Sequence, residues 1–412
     1  MAASQGGRLK KTIGAQSSRA LDCVCFFSAD ISGGVGPYLA SFLRSTRHWD
    51  SAAIGVELSA LGIAGMLTGI PAGAVIDKIT HKRFVVAFAA LCIGLSAVSF
   101  TIFNTFYSVL AAQVVCGVAG SFLGLGVIAL SLSLVGRKNF ASRMGRNEAF
   151  THFGNVISAL SMGTLGSLIS SNWVFYLIGI LAGLTITALA FIKENVDNHH
   201  VADDNSVNLP AEGVKASFID VLKDTNLIAF ALSAFLFNLA NGAMLPLAAQ
   251  YLSEGTPHIA PAYTAACIVT AQLMMIPTAL LTGRFAQKWG RKPVLTIALV
   301  ALLARGILYA FMFGGPGYVI TIQLLDGVSA GIFGVLASVV IADLAGHTDH
   351  YNLARATVGT VQSIGGSLSF LLAGNVVKTS GYSAGFATLA TIAVAAIFFF
   401  LSAMPETKPK VT

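Results

Sequence analysis

The chain has 412 residues, of which 55% are hydrophobic and 10% charged, and its mean hydropathy is +0.77. That composition excludes an ordinary soluble globular domain, and the length leaves room for about a dozen apolar spans of roughly 20 residues each. The net charge of +7 is compatible with nucleic-acid binding when taken alone, but the Lys and Arg residues sit in short loops between apolar runs. Their meaning is topological, and no nucleic-acid partner is expected.

Residues 1–18 are polar and small and read as a cytoplasmic tail. The Arg8, Lys10 and Lys11 cluster imitates a signal peptide, yet the apolar run from Ala20 to Leu43 is too long for one and carries Asp30. It reads as a retained first helix. Apolar spans follow near 20–43, 52–76, 83–103, 107–135, 145–170 and 172–192, so residues 19–192 read as a first six-helix bundle. Residues 193–225 turn polar and read as a cytoplasmic linker that ends in an amphipathic stretch. Six more spans near 226–252, 261–282, 293–313, 317–345, 354–377 and 382–403 make a second bundle over 226–403, with a tail at 404–412. The five cysteines fall inside apolar segments without a C-x-x-C pair, so neither a disulfide framework nor a metal site is expected, and no cofactor.

With both termini in the cytoplasm, 21 of the Lys and Arg residues face inward and only Arg44, Arg47 and Lys378 face outward, while Arg305 lies within a span. That bias requires an even number of crossings.

Two short basic loops organise the chain. Gly73-Ala-Val-Ile-Asp77-Lys78-Ile-Thr-His81-Lys82-Arg83 is followed 210 positions later by Gly283-Arg-Phe-Ala-Gln287-Lys288-Trp-Gly290-Arg291-Lys292. The repeat continues in Gln113-Val-Val-Cys-Gly117 against Gln323-Leu-Leu-Asp-Gly327, and in Gly33-Gly-Val-Gly-Pro37 against Gly242-Ala-Met-Leu-Pro246. Such internal symmetry is common in secondary transporters. The glycines of the fourth and tenth spans recur at helical spacing and read as close-packing positions.

The two loops resemble the signature loop of the major facilitator superfamily. The resemblance implies an all-α membrane fold of twelve transmembrane helices in two pseudo-symmetric six-helix bundles. It also implies gating roles for Gly73, Asp77, Lys78, Lys82, Arg83, Gly283, Lys288, Gly290, Arg291 and Lys292. By that resemblance Asp77 pairs with Arg137 or Arg143. The first copy departs from the pattern at Thr80 and His81, the second at Gln287.

A few ionisable residues fall inside the spans. Asp30 lies eleven residues after Arg19, roughly 16 Å deep at about 1.5 Å per residue, so it must be paired, hydrated or protonated. Its readings are a proton carrier, or a polar group facing a wet cavity or capping the glycine-rich break. Arg305 and Asp326 reach similar depth and read as a buried ion pair, with Asp326 also open to a coupling role. Glu148, His152 and Asn155 share one helical face and read either as proton-coupling residues or, for Glu148 and His152, as gate and polar residues. Gln113, Asn155, Asn238, Asn241, Gln272, Gln323 and Gln362 are cavity candidates, each equally able to serve an interhelical contact.

The expectation is a non-enzymatic secondary transporter for a small-molecule solute, proton-coupled, working by alternating access as a monomer among membrane lipids in a bacterial inner membrane. Export is favoured by the resemblance to drug and metabolite exporters. Uptake stays open because Gly154 and Gly163 are followed by Ser167-Leu168 where those exporters carry Gly-Pro. A non-transporting sensor is the remaining alternative.

Overall fold

The computed structural model describes residues 2–32, 35–192, 224–254, 256–311, 314–345 and 351–407. Among them every regular element is a helix: α1 (Ala2–Ser32), α2 (Val35–Ser45), α3 (Ser51–Lys78), α4 (Lys82–Ile102), α5 (Phe106–Leu168) and α6 (Trp173–Ala190), then α7 (Thr225–Asn241), α8 (Met244–Ser253), α9 (Ala260–Trp289), α10 (Arg291–Phe311), α11 (Pro316–Ala345) and α12 (Tyr351–Ala403). The helix α1 begins at Ala2, where composition reads as a polar tail. The linker expected at 193–225, with its histidines, lies almost wholly outside the described residues.

Ten helical stretches among the described residues are long and apolar enough to cross a bilayer. They leave large apolar side chains such as Ile70, Tyr107, Leu168 and Leu280 more than two-thirds exposed, a surface that water would not tolerate but hydrocarbon does. One of the ten, Leu353–Ala403, is 51 residues long, far more than one crossing needs. It bends at Gly381, where φ is 82°, and α5 bends likewise at Gly136, where φ is 66°. Only a residue without a Cβ enters that left-handed region without a steric penalty, which is why the chain can fold back at these points.

Another helical stretch is interrupted between Asn241 and Met244, and the segment that follows carries Pro246 at its third position. Proline has no N–H for the carbonyl one turn earlier and its ring crowds that carbonyl, so the helix restarts just upstream.

Close helix approaches repeat as well. A Cβ on Gly154 would collide with the carbonyl oxygen of Phe26 in α1, and one on Gly365 would collide with that of Phe235 in α7. Gly94 packs on Ala182, and Gly306 on Ala390. In every case both partners are displaced along the chain by nearly the interval that separates the basic loops. Of the expected packing glycines, Gly327 lies against Ala271 and Met274 and Gly117 lends its carbonyl to the approach of Gly65, whereas a Cβ on Gly124 or Gly334 would meet nothing within 4 Å.

The chain forms two compact units, Met1–Gly36 with Ile63–Val207, and Pro37–Gly62 with Asn208–Thr412. The second unit therefore takes α2 and the start of α3 from the first half of the sequence. Its seam is made by small residues. Ser59 Oγ lies 2.8 Å from the carbonyl oxygen of Ser367, and a Cβ on Gly55 or Gly374 would strike the backbone of the opposite helix, so α3 and α12 touch main chain to main chain. Stacked Phe237 and Phe333 rings, 4.0 Å between centroids, fill the core of the same unit.

Candidate functional site

In the first unit, α1 carries two buried carboxylates with different surroundings. Asp22 is gripped from α5 by two guanidinium groups. Arg146 forks onto it at 2.9 and 2.6 Å, and Arg143 Nη2 lies 2.9 Å away. Arg143 also donates from Nη1 to Ser18 and from Nε to Asn147 Oδ1, and Asn147 in turn donates to Ser131 Oγ at 2.7 Å. Arg143, expected to serve Asp77, thus engages Asp22. The side chains of Asp77 and Arg137 lie outside the described set.

Two turns deeper stands Asp30, 3% exposed, with Oδ2 buried and without a hydrogen-bond partner. The contact of Gly154 with Phe26 and Ala29 brings α5 against this stretch of α1, and the next residue, Asn155, also has a buried Oδ1 without a donor. Two acceptor oxygens are therefore left wanting a proton or a donor in the same region of one helix pair. A buried acceptor left unmade costs about 1–3 kcal/mol, so such a pair is retained only for a reason other than stability. His152 and Glu148, about one and two turns back along α5 from Asn155, are exposed. Gln113 in α5 is fully buried with neither side-chain polar atom partnered.

In the second unit the expected ion pair forms. Arg305 Nη1 reaches Asp326 Oδ1 at 2.6 Å and Asn241 Oδ1 at 2.7 Å, and Nη2 donates to Gln323 Oε1 at 2.8 Å. The guanidinium also lies 5.7 Å from the centroid of the Tyr309 ring, a favourable cation–π position. The Arg305 side chain is 1% exposed but that of Asp326 14%, so the cation sits behind and the carboxylate fronts the accessible side. Asn241 is the last residue of α7 before its break, which ties the interruption to this network. Of the other candidates, Asn238 bonds back to the carbonyl of Ala234 in its own helix, while Gln272 and Gln362 are half-buried.

The basic loops are structural clamps. In the first, Arg83 Nη1 donates to the carbonyl of Ile192 at the end of α6, and in the second Lys292 Nζ donates to that of Leu401 near the end of α12. At the 210-residue shift Lys292 corresponds to Lys82 and not to Arg83, so the two contacts are similar without involving matched residues. Lys82 Nζ turns to the carbonyl of Ile79. Only the second loop keeps a left-handed turn, at Gly290 with φ 104°. There Glu406 accepts the N–H groups of Arg291 and Lys292, capping α10, while Arg291 Nε meets Asp343 at 3.0 Å. A Cβ on Gly73 would meet only Leu125 and one on Gly283 nothing within 4 Å, and Lys78 and Lys288 are exposed at the ends of α3 and α9.

At the opposite end, Arg44 and Lys378, two of the three cations expected outside, are paired with acids. Arg44 Nε donates to Glu254 at 2.8 Å and Tyr382 OH to the same oxygen at 3.1 Å. Lys378 Nζ lies 3.1 Å from Asp50, which also caps α3 by accepting the Ala53 N–H. That backbone donation, with Lys378 beside it, holds the Asp50 carboxyl below the usual range. Asp22, Asp343 and Glu406 were not singled out by sequence, and neither was Glu57, whose two carboxylate oxygens are buried and unpartnered. Among the described residues no cluster of His, Cys, Asp and Glu could hold a metal ion.

Comparison with known proteins fits this geometry. The chain is 36% identical over 392 residues to curated relatives from Mycobacterium tuberculosis described as uncharacterized MFS-type transporters, covering 95% of this chain and 93% of theirs. Among solved structures it resembles the nucleoside transporter NupG, with a TM-score of 0.77 at 17% identity over 94% of this chain and 98% of that one. It also resembles the inward open xylose transporter XylE from E. coli, with a TM-score of 0.70 at 13% identity over 97% and 98%. These likenesses show the fold. The profile of the Major Facilitator Superfamily matches residues 21–315 and 226–412, and the chain belongs to that superfamily.

Proposed function

We propose that this protein is a proton-coupled secondary transporter that exports a small organic solute by alternating access. Membership of the superfamily and the apolar, multi-pass chain support movement of a small solute across a membrane. The observation that carries the coupling is Asp30, buried in α1 with an oxygen that lacks a donor, close along the α1–α5 contact to the equally unserved Asn155. A carboxylate so placed is neutral until something with a proton or a donor is exchanged for it, which is the requirement for trading a proton against a solute. Asp326, fronting Arg305, is the second polar contact we assign to the solute.

The bends at Gly136 and Gly381 each divide one helix into two crossings, and α1 with α2 and α7 with α8 each count as one. Together they support twelve crossings in two repeats. With the Lys and Arg bias, both termini lie in the cytoplasm of a bacterial inner membrane, and the protein works as a monomer. Short loops and motif placement favour export, whereas Ser167-Leu168 in place of a Gly-Pro step is the observation that favours uptake.

The test is solute flux in proteoliposomes with and without an imposed pH gradient. Gradient-driven flux in wild type that is lost in Asp30→Asn, with binding retained, is the expected result, and the sign of the flux gives the direction. Equal flux in both proteins removes Asp30 as the carrier.

A further inference from the structure

Glu57 lies in α3 seven residues after Asp50, on the same helical face and about 10 Å further into the apolar run at 1.5 Å per residue. It is 0% exposed, and neither of its oxygens has a hydrogen-bond partner. Of the cations of the same end, Lys378 of α12 is engaged with Asp50 and Arg44 of α2 with Glu254, while Arg47 lies over the Phe42 ring. The other charged group of α12, Arg355, lies near its far end and donates to Ser338. In α7, in α8 and in α5 as far as Gly136 there is no Asp, Glu, Lys, Arg or His at all, and in the buried part of α1 the charged groups are Asp22, held by its arginines, and Asp30, itself acidic.

An ionised carboxylate with neither a cation nor a protein donor against it is not sustainable in an apolar bundle; it neutralises instead. Ordinary interior packing does not explain the residue either, because an apolar side chain of similar size would fill the place without two orphaned oxygens. We infer that Glu57 is a proton-binding site near the outer surface, occupied in this conformation as the neutral acid and emptied to water on that side past the Asp50–Lys378 pair. The reaction is a simple dissociation in which the carboxylic O–H bond breaks, the proton passes to water and the electron pair stays on the carboxylate. The site is separate from Asp30, and it stands or falls without the coupling proposed there.

The experiment is infrared spectroscopy of the full-length protein in lipid bilayers at neutral pH, with glutamate carrying a 13C-labelled side-chain carboxyl. Aspartate is unlabelled, so Asp30 contributes nothing to the isotope shift. The other described glutamates, Glu148, Glu254 and Glu406, are all exposed. The expected result is an isotope-shifted C=O stretch of a protonated carboxylic acid in wild type, absent from Glu57→Gln. No shifted C=O band in wild type, or an unchanged band in Glu57→Gln, overturns the inference. The wild-type measurement alone decides the first point, whatever the stability of the variant.

Discussion

Asp30 and Asp326 are both carboxylates inside apolar helices of one chain, yet their surroundings are opposite. Asp326 has a guanidinium behind it whose Nη1 and Nη2 donors are taken up by Asn241, Gln323 and Asp326 itself. Asp30 has an oxygen with nothing donated to it. The difference separates two uses of a charge in hydrocarbon. A charge that must persist needs a cation and a donor network, and under the function proposed above Asp30, whose Oδ2 has neither, is the group that changes its protonation state.

The largest effect that could break this contrast is Asp30→Asn, expected to bring gradient-driven flux down to the level of empty vesicles while a binding assay still registers solute. Next is Arg305→Ala, which strands Asp326 and leaves Asn241 and Gln323 without their donor. A loss of about 3–5 kcal/mol is expected, largely recovered in the double variant with Asp326→Asn, and thermal denaturation in detergent measures both. Simple additivity of the two changes would mean that the pair is not the unit described here. By the same logic Asp30→Asn should leave the melting temperature unchanged or raised.

Smaller effects sharpen the comparison between the ends of the molecule. Glu406→Ala removes the acceptor for two N–H groups at the start of α10 and should cost about 1 kcal/mol, read as a lower melting temperature. Asp50→Asn acts on an exposed pair and should cost no more than about 1 kcal/mol. Its pH dependence has a definite sign. A carboxyl held below its ordinary value contributes stability that is present above that value and is lost as pH falls through the folded one, so acid and not alkali should erase the difference between Asp50→Asn and wild type. Melting curves across the acidic range measure it.

Much of this was legible in the sequence because lipid makes each polar residue conspicuous. Arg305 and Asp326 were recognisable as partners from their depth alone, and Asp30 as an anomaly. The depth argument did not extend to Glu57, which sits near the end of its run and passes for an interfacial residue until its burial is seen. Asp22 lies only three residues after Arg19, so depth does not mark it, and nothing local connects it with Arg143 and Arg146. Glu406 caps a helix that begins more than a hundred positions earlier, and only folding brings the two together. The glycines could be read as contact points, but not which helix each would meet: that Gly55 and Gly374 adjoin is a property of the packed chain, not of either segment.

The allocation of residues 37–62 to the second unit bears on how the protein can be divided. A fragment beginning at Thr225 retains every residue of α7 to α12 but loses the stretch that covers Ser367, Phe370 and Gly374 and supplies the partners of Glu254 and Lys378. Severing the polypeptide between Ile192 and Asp224 is therefore expected to yield two pieces that assemble only when synthesised together, with the carboxy-terminal piece degraded when made alone.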